Sequence, residues 1–202
     1  MFSVIKSGMD TALQELSLIS NNISNANSTG YKKSSVSFSE FYNGRTAEGV
    51  ERALVGLGAN SLDSRRSDAQ GALVEMGGTL DAAIVGNGYF MTQHPDQIGY
   101  SVTRNGSFAL DANGFLTSQD GDFVLGMTAV EGEFVGAGAD PETLQRIQIP
   151  IAASEDPLSS ISVKSNGNIL AAFGEGDDVP IATIPLAIFS NPNGLKQLGG
   201  GK

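Results

Sequence analysis

The residues of this chain that could carry out acid–base or nucleophilic chemistry are few and poorly placed for it. His94 is the only histidine, and it lies beside Pro95 in a polar stretch that contains no serine motif it could activate. Asp81 and Asp111 lie near the ends of predicted strands, and they would form a glycosidase pair only if the fold brought them within roughly 5–10 Å. Cysteine is absent, which excludes disulfides, thiolate metal sites and a cysteine nucleophile. We therefore predict no catalytic residue.

The sequence indicates no metal or phosphate site either. Acidic residues cluster at Asp120 and Asp122 and again at residues 175–178, but neither cluster has the spacing of a calcium loop. The glycines of residues 56–58 and 136–138 are followed neither by the lysine nor by the helix that a phosphate loop requires. We interpret these carboxylates and glycines as parts of turns and loops, and expect no metal and no cofactor.

Composition excludes several classes of partner. The 202 residues carry a net charge of −10 with only 12 Lys and Arg, which leaves no basic stripe for a nucleic-acid backbone. No apolar run approaches the roughly 20 residues that cross a bilayer. The N-terminus also lacks the basic start, apolar stretch and small-residue cleavage site of a signal peptide. We expect neither nucleic acid nor an integral membrane segment.

The most regular pattern in the chain is a 3,4 alternation of apolar residues at its N-terminus. It runs for almost four heptads, the spacing typical of a coiled-coil seam. Nothing later in the chain has a helical period of comparable length, so the partner of this helix is expected to come from elsewhere. We predict an assembly interface, called the seam below, made of Phe2, Ile5, Met9, Ala12, Leu16, Ile19, Ile23 and Ala26.

The predicted helix begins with Ser3 as its N-cap, ends near Ala26, and is followed by a stop signal that closes on a glycine. Its second half is rich in Asn and Ser, whose side chains compete for backbone hydrogen bonds and give poor intrinsic helicity. We therefore expect residues 1–30 to be largely disordered in an isolated monomer. The helix-to-connector turn is predicted at Asn27, Thr29, Gly30 and Tyr31.

The sequence as a whole predicts a mainly β protein in three parts: an assembly helix (1–30), an extended connector (31–79) and an antiparallel β domain (80–202). The connector is polar, with Phe38, Phe41 and Tyr42 as its aromatic anchors and a flexible stretch at residues 44–58. Hairpin turns are predicted at residues 104–107, 111–114 and 165–168. The last strand region, residues 181–189, is expected at a sheet edge because of Pro180, which precedes it, and Pro185.

An amphipathic helix can also pack on its own β domain, and this alternative remains open for the seam. A helix that docks on a sheet usually presents a wider apolar face, and here a long polar connector separates the helix from the β domain. Both features favour assembly between chains.

Three blocks of sequence, spread over nearly the whole chain, share the pattern of one protein family. The first ends the helix at residues 19–32 with ISNNISNANSTGYK. The second, LDAAIVGNGYF at residues 80–90, is followed by TRNGSF and DANGFL, and the third is LAIFSNPNGL at residues 186–195. Together they resemble the axial proteins of the bacterial flagellum, which are its rod and hook subunits.

The resemblance implies an antiparallel β domain that forms an outer layer, and an N-terminal helix that pairs with a C-terminal helix in the assembled tube. It implies partners that are copies of the same chain and other rod or hook subunits. It also implies export through the flagellar type III apparatus without a cleavable signal peptide, and a place in the periplasm-spanning rod. The chain ends at residues 198–202 where the C-terminal helix is expected to follow, so either the chain is shortened or the protein lacks that helix.

Within the family, the short interval from Val130 to Ile149 leaves no room for the additional outer domain of the hook protein. We therefore expect a rod subunit, proximal or distal, with the hook protein as the close alternative. Two alternatives come from other classes: an enzymatic or ligand-binding β protein with an oligomerisation helix, and an adhesin-like protein that forms discrete trimers through the same helix.

Overall fold

The computed structural model describes residues 2–42, 56–61, 64–67, 69–130, 133–135, 141–151, 157–196 and 198–199. The chain divides into two compact units, Met1–Ala69 and Gln70–Lys202. The flexible stretch predicted at residues 44–58 lies mostly outside the described residues, as do the glycines of residues 136–138. The three-part division drawn from the sequence, with its boundary at residue 80, stays a prediction.

The first unit consists of one long helix and two short pairs of antiparallel strands. The helix packs along β3 and also contacts β1. Strand β1 pairs with β4, and β2 pairs with β3. The elements are α1 (Phe2–Ser24), β1 (Ser34–Ser35), β2 (Phe38–Tyr42), β3 (Gly56–Ser61) and β4 (Arg65–Arg66).

Two sequence predictions about this unit were wrong in detail. The helix already includes Phe2, so Ser3 lies inside the first turn and is not the N-cap. Residues 56–58, interpreted as loop glycines, begin strand β3. Strand propensity is weak at these glycines, but the backbone of β3 pairs with that of β2, and pairing between strands outweighs intrinsic preference.

The second unit is an antiparallel sheet whose main order is β12, β13, β14, β9, β5, β15, with the shorter strands attached to β5, β8 and β9. With one α-helix among the described residues, this confirms the predicted mainly β class. The strands are β5 (Tyr89–Gln93), β6 (Ser101–Thr103), β7 (Phe108–Leu110), β8 (Leu116–Ser118), β9 (Phe123–Val130), β10 (Glu133–Val135), β11 (Gln145–Arg146), β12 (Leu158–Val163), β13 (Asn168–Phe173), β14 (Val179–Thr183) and β15 (Leu186–Ala187).

The core of the second unit is formed by apolar side chains from its strands and from the segments that join them. Residues 80–88, the first part of the LDAAIVGNGYF motif, do not form a strand. They nevertheless add Leu80 and Ile84 to the core. Burying a side chain of this size stabilises the fold by about 1.5–3 kcal/mol. The buried cluster is Leu80, Ile84, Phe90, Phe108, Leu116, Val124, Ile147, Ile149, Ile169, Ala182 and Ile184.

Two of the three predicted hairpin turns are confirmed. Residues 111–114 join β7 to β8, and residues 165–168 join β12 to β13. The third was wrong: β6 pairs with β5 and β7 pairs with β8, so residues 104–107 connect strands that have different partners. At this connection the Gly106 carbonyl accepts a hydrogen bond from Ala82 N, at 2.9 Å. A turn signal marks where the chain bends and does not say which strands pair across it.

The edge position predicted for the last strand region was wrong for β14, which lies between β13 and β9. Pro180 lies opposite Leu170 of β13, next to a register shift in that ladder, and β9 pairs only with Ala182 and Thr183, so the missing N–H falls at an irregular position of the sheet. Pro185 falls in the break between β14 and β15. Strand β15, at the end of the main sheet order, does have the predicted position.

Candidate assembly interface

All eight seam residues are exposed; seven lie on α1, and Ala26 lies in the turn that follows it. The exposed fraction of the six larger side chains ranges from 44% for Ile19 to 92% for Phe2, and Ala12 and Ala26 are exposed as well. Leu13, 59% exposed, extends the same apolar face. Scattered exposed apolar residues are ordinary, but a continuous apolar stripe along a helix of 23 residues is typical of an interaction site.

The helix contacts its own unit through a different and more polar face. Ser7, Thr11, Leu18 and Asn22 are its partly buried side chains. At about 100° per residue, this face points about 140° away from the seam. Thr11 Oγ1 donates to Ser7 O at 2.6 Å and Ser7 Oγ donates to Val4 O at 3.0 Å, so these hydroxyls are satisfied within the helix. The intrachain packing of the helix therefore leaves the seam uncovered.

The acidic residues considered as paired catalysts form local turns in the structure. Asp111 Oδ1 accepts hydrogen bonds from Asn113 N at 2.9 Å and from Phe115 N at 2.7 Å. Asp81 Oδ2 accepts one from Gly78 N at 3.0 Å. These contacts account for both carboxylates as caps of backbone turns.

The other polar candidates are likewise engaged in local contacts. His94 Nδ1 accepts a hydrogen bond from Asp96 N at 3.2 Å. Asp178 lies 3.9 Å from the Lys164 ammonium in an exposed pair. Within the described residues, no three acidic or histidine side chains are arranged to hold a metal ion, and no helix has both the length and the apolarity to cross a membrane.

The predicted helix-to-connector turn follows the end of α1 directly. Asn27 and Thr29 are exposed, and Tyr31 N donates to Ser28 O at 3.2 Å to close the turn. Gly30 has a φ of 76°, in the left-handed region where residues with a Cβ are strained. The sequence predicted a bend here from the position of the glycine, and this backbone angle suits one, while the role of the turn in assembly stays a prediction.

Replacing Gly30 with valine is expected to destabilise this turn by about 1–2 kcal/mol or more, because a β-branched residue at positive φ is strained. Assembly, where it depends on the turn, should weaken with it. The matched control is Gly30→Asn, since asparagine tolerates this conformation far better. Amide exchange of residues 25–31 measures the effect, and equal protection in the two variants would contradict it.

Sequence reasoning missed Asn22, whose side chain makes three hydrogen bonds within the first unit. Asn22 Nδ2 donates to Ser34 O at 2.8 Å, and its Oδ1 accepts from Ser34 N at 3.0 Å and from the Tyr31 hydroxyl at 2.9 Å. From the sequence, this asparagine stood out only as a poor helix former. No local signal in the sequence marks it, because the partly buried face of α1 on which it lies is seen only in the structure.

Comparison with known proteins gives two family matches, one at the N-terminus and one in the middle of the chain. Residues 3–32 match the family described as flagella basal body rod protein, and residues 83–171 match the flagellar hook protein FlgE/F/G D1 domain. The first range contains nearly all of α1 and the turn after it. The second contains most of the sheet of the second unit.

Individual relatives give the same result. The flagellar basal-body rod protein FlgG of Bacillus subtilis strain 168 is 32% identical over 96% of this chain and 68% of its own length. The rod protein FlgG of Agrobacterium fabrum strain C58 is 30% identical over 98% of this chain and 70% of its own. The flagellar hook protein FlgE of Brucella abortus is 33% identical over 83% of this chain and 42% of its own. This chain therefore belongs to the family of bacterial flagellar rod and hook proteins, which are structural proteins of the flagellum.

Proposed function

We propose that this chain polymerises helically, through the seam of α1, into the hollow shaft of the flagellar rod that transmits torque and conducts later export substrates. The observation that carries the proposal is the exposure of the whole seam while the opposite face of the helix packs within its own unit. The occupant of the seam is a helix of neighbouring axial subunits, since a coiled-coil stripe is covered by another helix.

A rod position is favoured over the hook by two observations. The rod relatives align with 96–98% of this chain, against 83% for the hook relative. The interval between Val130 and Ile149 is also too short to contain an additional outer domain. The proposed location is the periplasm-spanning part of the basal body, reached through the flagellar export apparatus without a cleavable signal. This mechanical role requires no catalysis.

The test is the association state of the purified full chain across a wide range of concentrations. We expect sedimentation to show cooperative growth into large particles, and electron microscopy to show rods with a helical repeat. A discrete trimer would support the adhesin-like alternative instead. A chain that stays monomeric, alone and with other axial subunits, would contradict the proposal. Binding of a small ligand that is lost on changing Asp81 or Asp111 would favour the enzymatic alternative.

A further inference from the structure

The side chain of Asn22 pairs with the backbone of Ser34 as a strand would. Its amide nitrogen donates to the Ser34 carbonyl, and its amide oxygen accepts from the Ser34 N–H. A primary amide has the donor and acceptor geometry of a peptide group, so one side chain can replace one residue of a neighbouring strand. This contact joins the last turn of α1 to a residue twelve positions later in the chain.

The backbone of Ser34 fixes the orientation of this amide, and Tyr31 adds a third hydrogen bond. Its hydroxyl donates to Asn22 Oδ1 at 2.9 Å, so that one oxygen accepts two hydrogen bonds. Turning the amide over would place its NH₂ group against the Ser34 N–H and would leave the Ser34 carbonyl without this donor. The network is therefore satisfied in one orientation only.

Strand β1 is held on both of its edges as a result. Along a strand, successive residues direct their backbone groups to opposite edges. Lys33 directs its carbonyl towards the returning chain, where it accepts from Ser67 N at 2.9 Å, whereas Ser34 directs its groups towards Asn22. The pairing of β1 with β4 thus occupies one edge, and Asn22 occupies the other as a third strand one residue long.

We propose that Asn22 is a positioning residue whose side-chain amide fixes the direction in which the connector leaves the helix that bears the seam. The contact holds the end of α1, the turn and β1 in one fixed arrangement, on the side of the helix that faces away from the seam. Its importance for assembly rests on the proposed function, but the existence of the contact does not.

Spin labels can measure this direction because the chain contains no cysteine, so that two introduced thiols are the only ones. Glu15→Cys and Ser37→Cys place labels at two exposed positions of the first unit. In the full chain, verified as monomeric, we expect one narrow distribution of distances between the labels. Asn22→Ala should broaden it, and should raise the exchange rate of the Ser34 amide about tenfold, as expected for the loss of one net hydrogen bond.

Asn25→Ala is the matched control. It removes an asparagine of the same segment whose side chain, among the residues that the structure describes, bonds only to Asn21, at 2.9 Å to the carbonyl and 2.8 Å to Oδ1. This variant should keep both the narrow distribution and the Ser34 exchange rate within about twofold of the unchanged chain. Equal effects of the two substitutions, an unchanged Ser34 exchange rate in Asn22→Ala, or a broad distribution in the unchanged chain would each overturn the proposal.

Assembly of the same variants separates this proposal from the proposed function. Reduced assembly of Asn22→Ala beside normal assembly of Asn25→Ala is the expected result. If Asn22→Ala loses its Ser34 protection but assembles fully, the positioning role is overturned. If the unchanged chain itself does not assemble, the proposed function fails, and the label distances and exchange rates still decide the role of Asn22.

Discussion

The Leu16→Asp chain is expected to stay monomeric under conditions in which the unchanged chain assembles. Leu16 lies in the middle of the seam and is 62% exposed in the single chain. Its burial between helices would contribute about 1.5–3 kcal/mol per subunit. An aspartate there loses this contribution and places a carboxylate between apolar side chains, at a further cost of several kcal/mol. Since each 1.4 kcal/mol is about tenfold in affinity, the critical concentration should rise by about a thousandfold or more.

Ser17→Asp is the control for this substitution. Ser17 is exposed and lies about 100° around the helix from Leu16, outside the seam. The variant introduces the same charge into the same turn of α1, with a smaller loss of helix propensity because serine is already a weaker helix former than leucine, and it should assemble like the unchanged chain. Sedimentation and electron microscopy measure both variants, and near-ultraviolet circular dichroism checks that the second unit stays folded. Normal assembly of Leu16→Asp would refute the seam.

Replacing Gly106 with alanine is expected to destabilise the second unit by about 3 kcal/mol or more. A Cβ at this position would lie 1.6 Å from Ala82 O and 3.0 Å from a ring carbon of Phe90. The backbone must therefore move apart, which breaks the hydrogen bond from Ala82 N to Gly106 O. It would also disturb Phe90, whose ring packs edge-on against Phe108 with 5.0 Å between centroids.

Gly71→Ala is the matched control for the Gly106 substitution. Gly71 belongs to the same unit, but a Cβ there would have no atom within 4 Å. Its free energy of unfolding should stay within about 0.5 kcal/mol of the unchanged chain. Denaturant unfolding of the full chain, followed by a signal from the second unit, measures both variants. A cost below about 1 kcal/mol for Gly106→Ala would show that the segment of residues 80–84 does not pack against Gly106 as described.

The helix and its apolar stripe could be predicted from the sequence because both depend on spacing within one element, whereas the use of the stripe as an assembly interface stays a prediction. The exposure of Leu16 and Ile23 agrees with the predicted stripe. The face that packs on the strands of the first unit could not be predicted, since Ser7 and Thr11 look solvent-facing until their hydroxyls are seen to bond within the helix.

Features that depend on contacts between distant segments of the chain could not be predicted from the sequence in the same way. The glycine-rich β3 has no strand signal of its own and forms by pairing with the backbone of β2. The turn at residues 104–107 has the composition of a hairpin, but Phe108 pairs with Ser118 and not with the preceding strand. The contacts of Asn22 require the chain to return to the end of the helix, which no pattern around residue 22 encodes.

The predicted disorder of residues 1–30 in the isolated monomer remains a prediction. Poor helicity in the second half of α1 favours it. The packing of Thr11 and Leu18 and the hydrogen bonds of Asn22 oppose it. Amide exchange of a verified monomer decides between these opposing contributions.

The pairing of β1 with β4 brings together two points of the chain that are about thirty residues apart. Ser34 lies opposite Arg66, so the residues between them form a loop whose two ends are already closed. Doubling the length of such a loop costs only about 0.6 kcal/mol in closure entropy. A change in length within this closed segment, outside the β2–β3 pair that packs on α1, would therefore leave the anchor at the end of α1 in place at little cost in closure entropy.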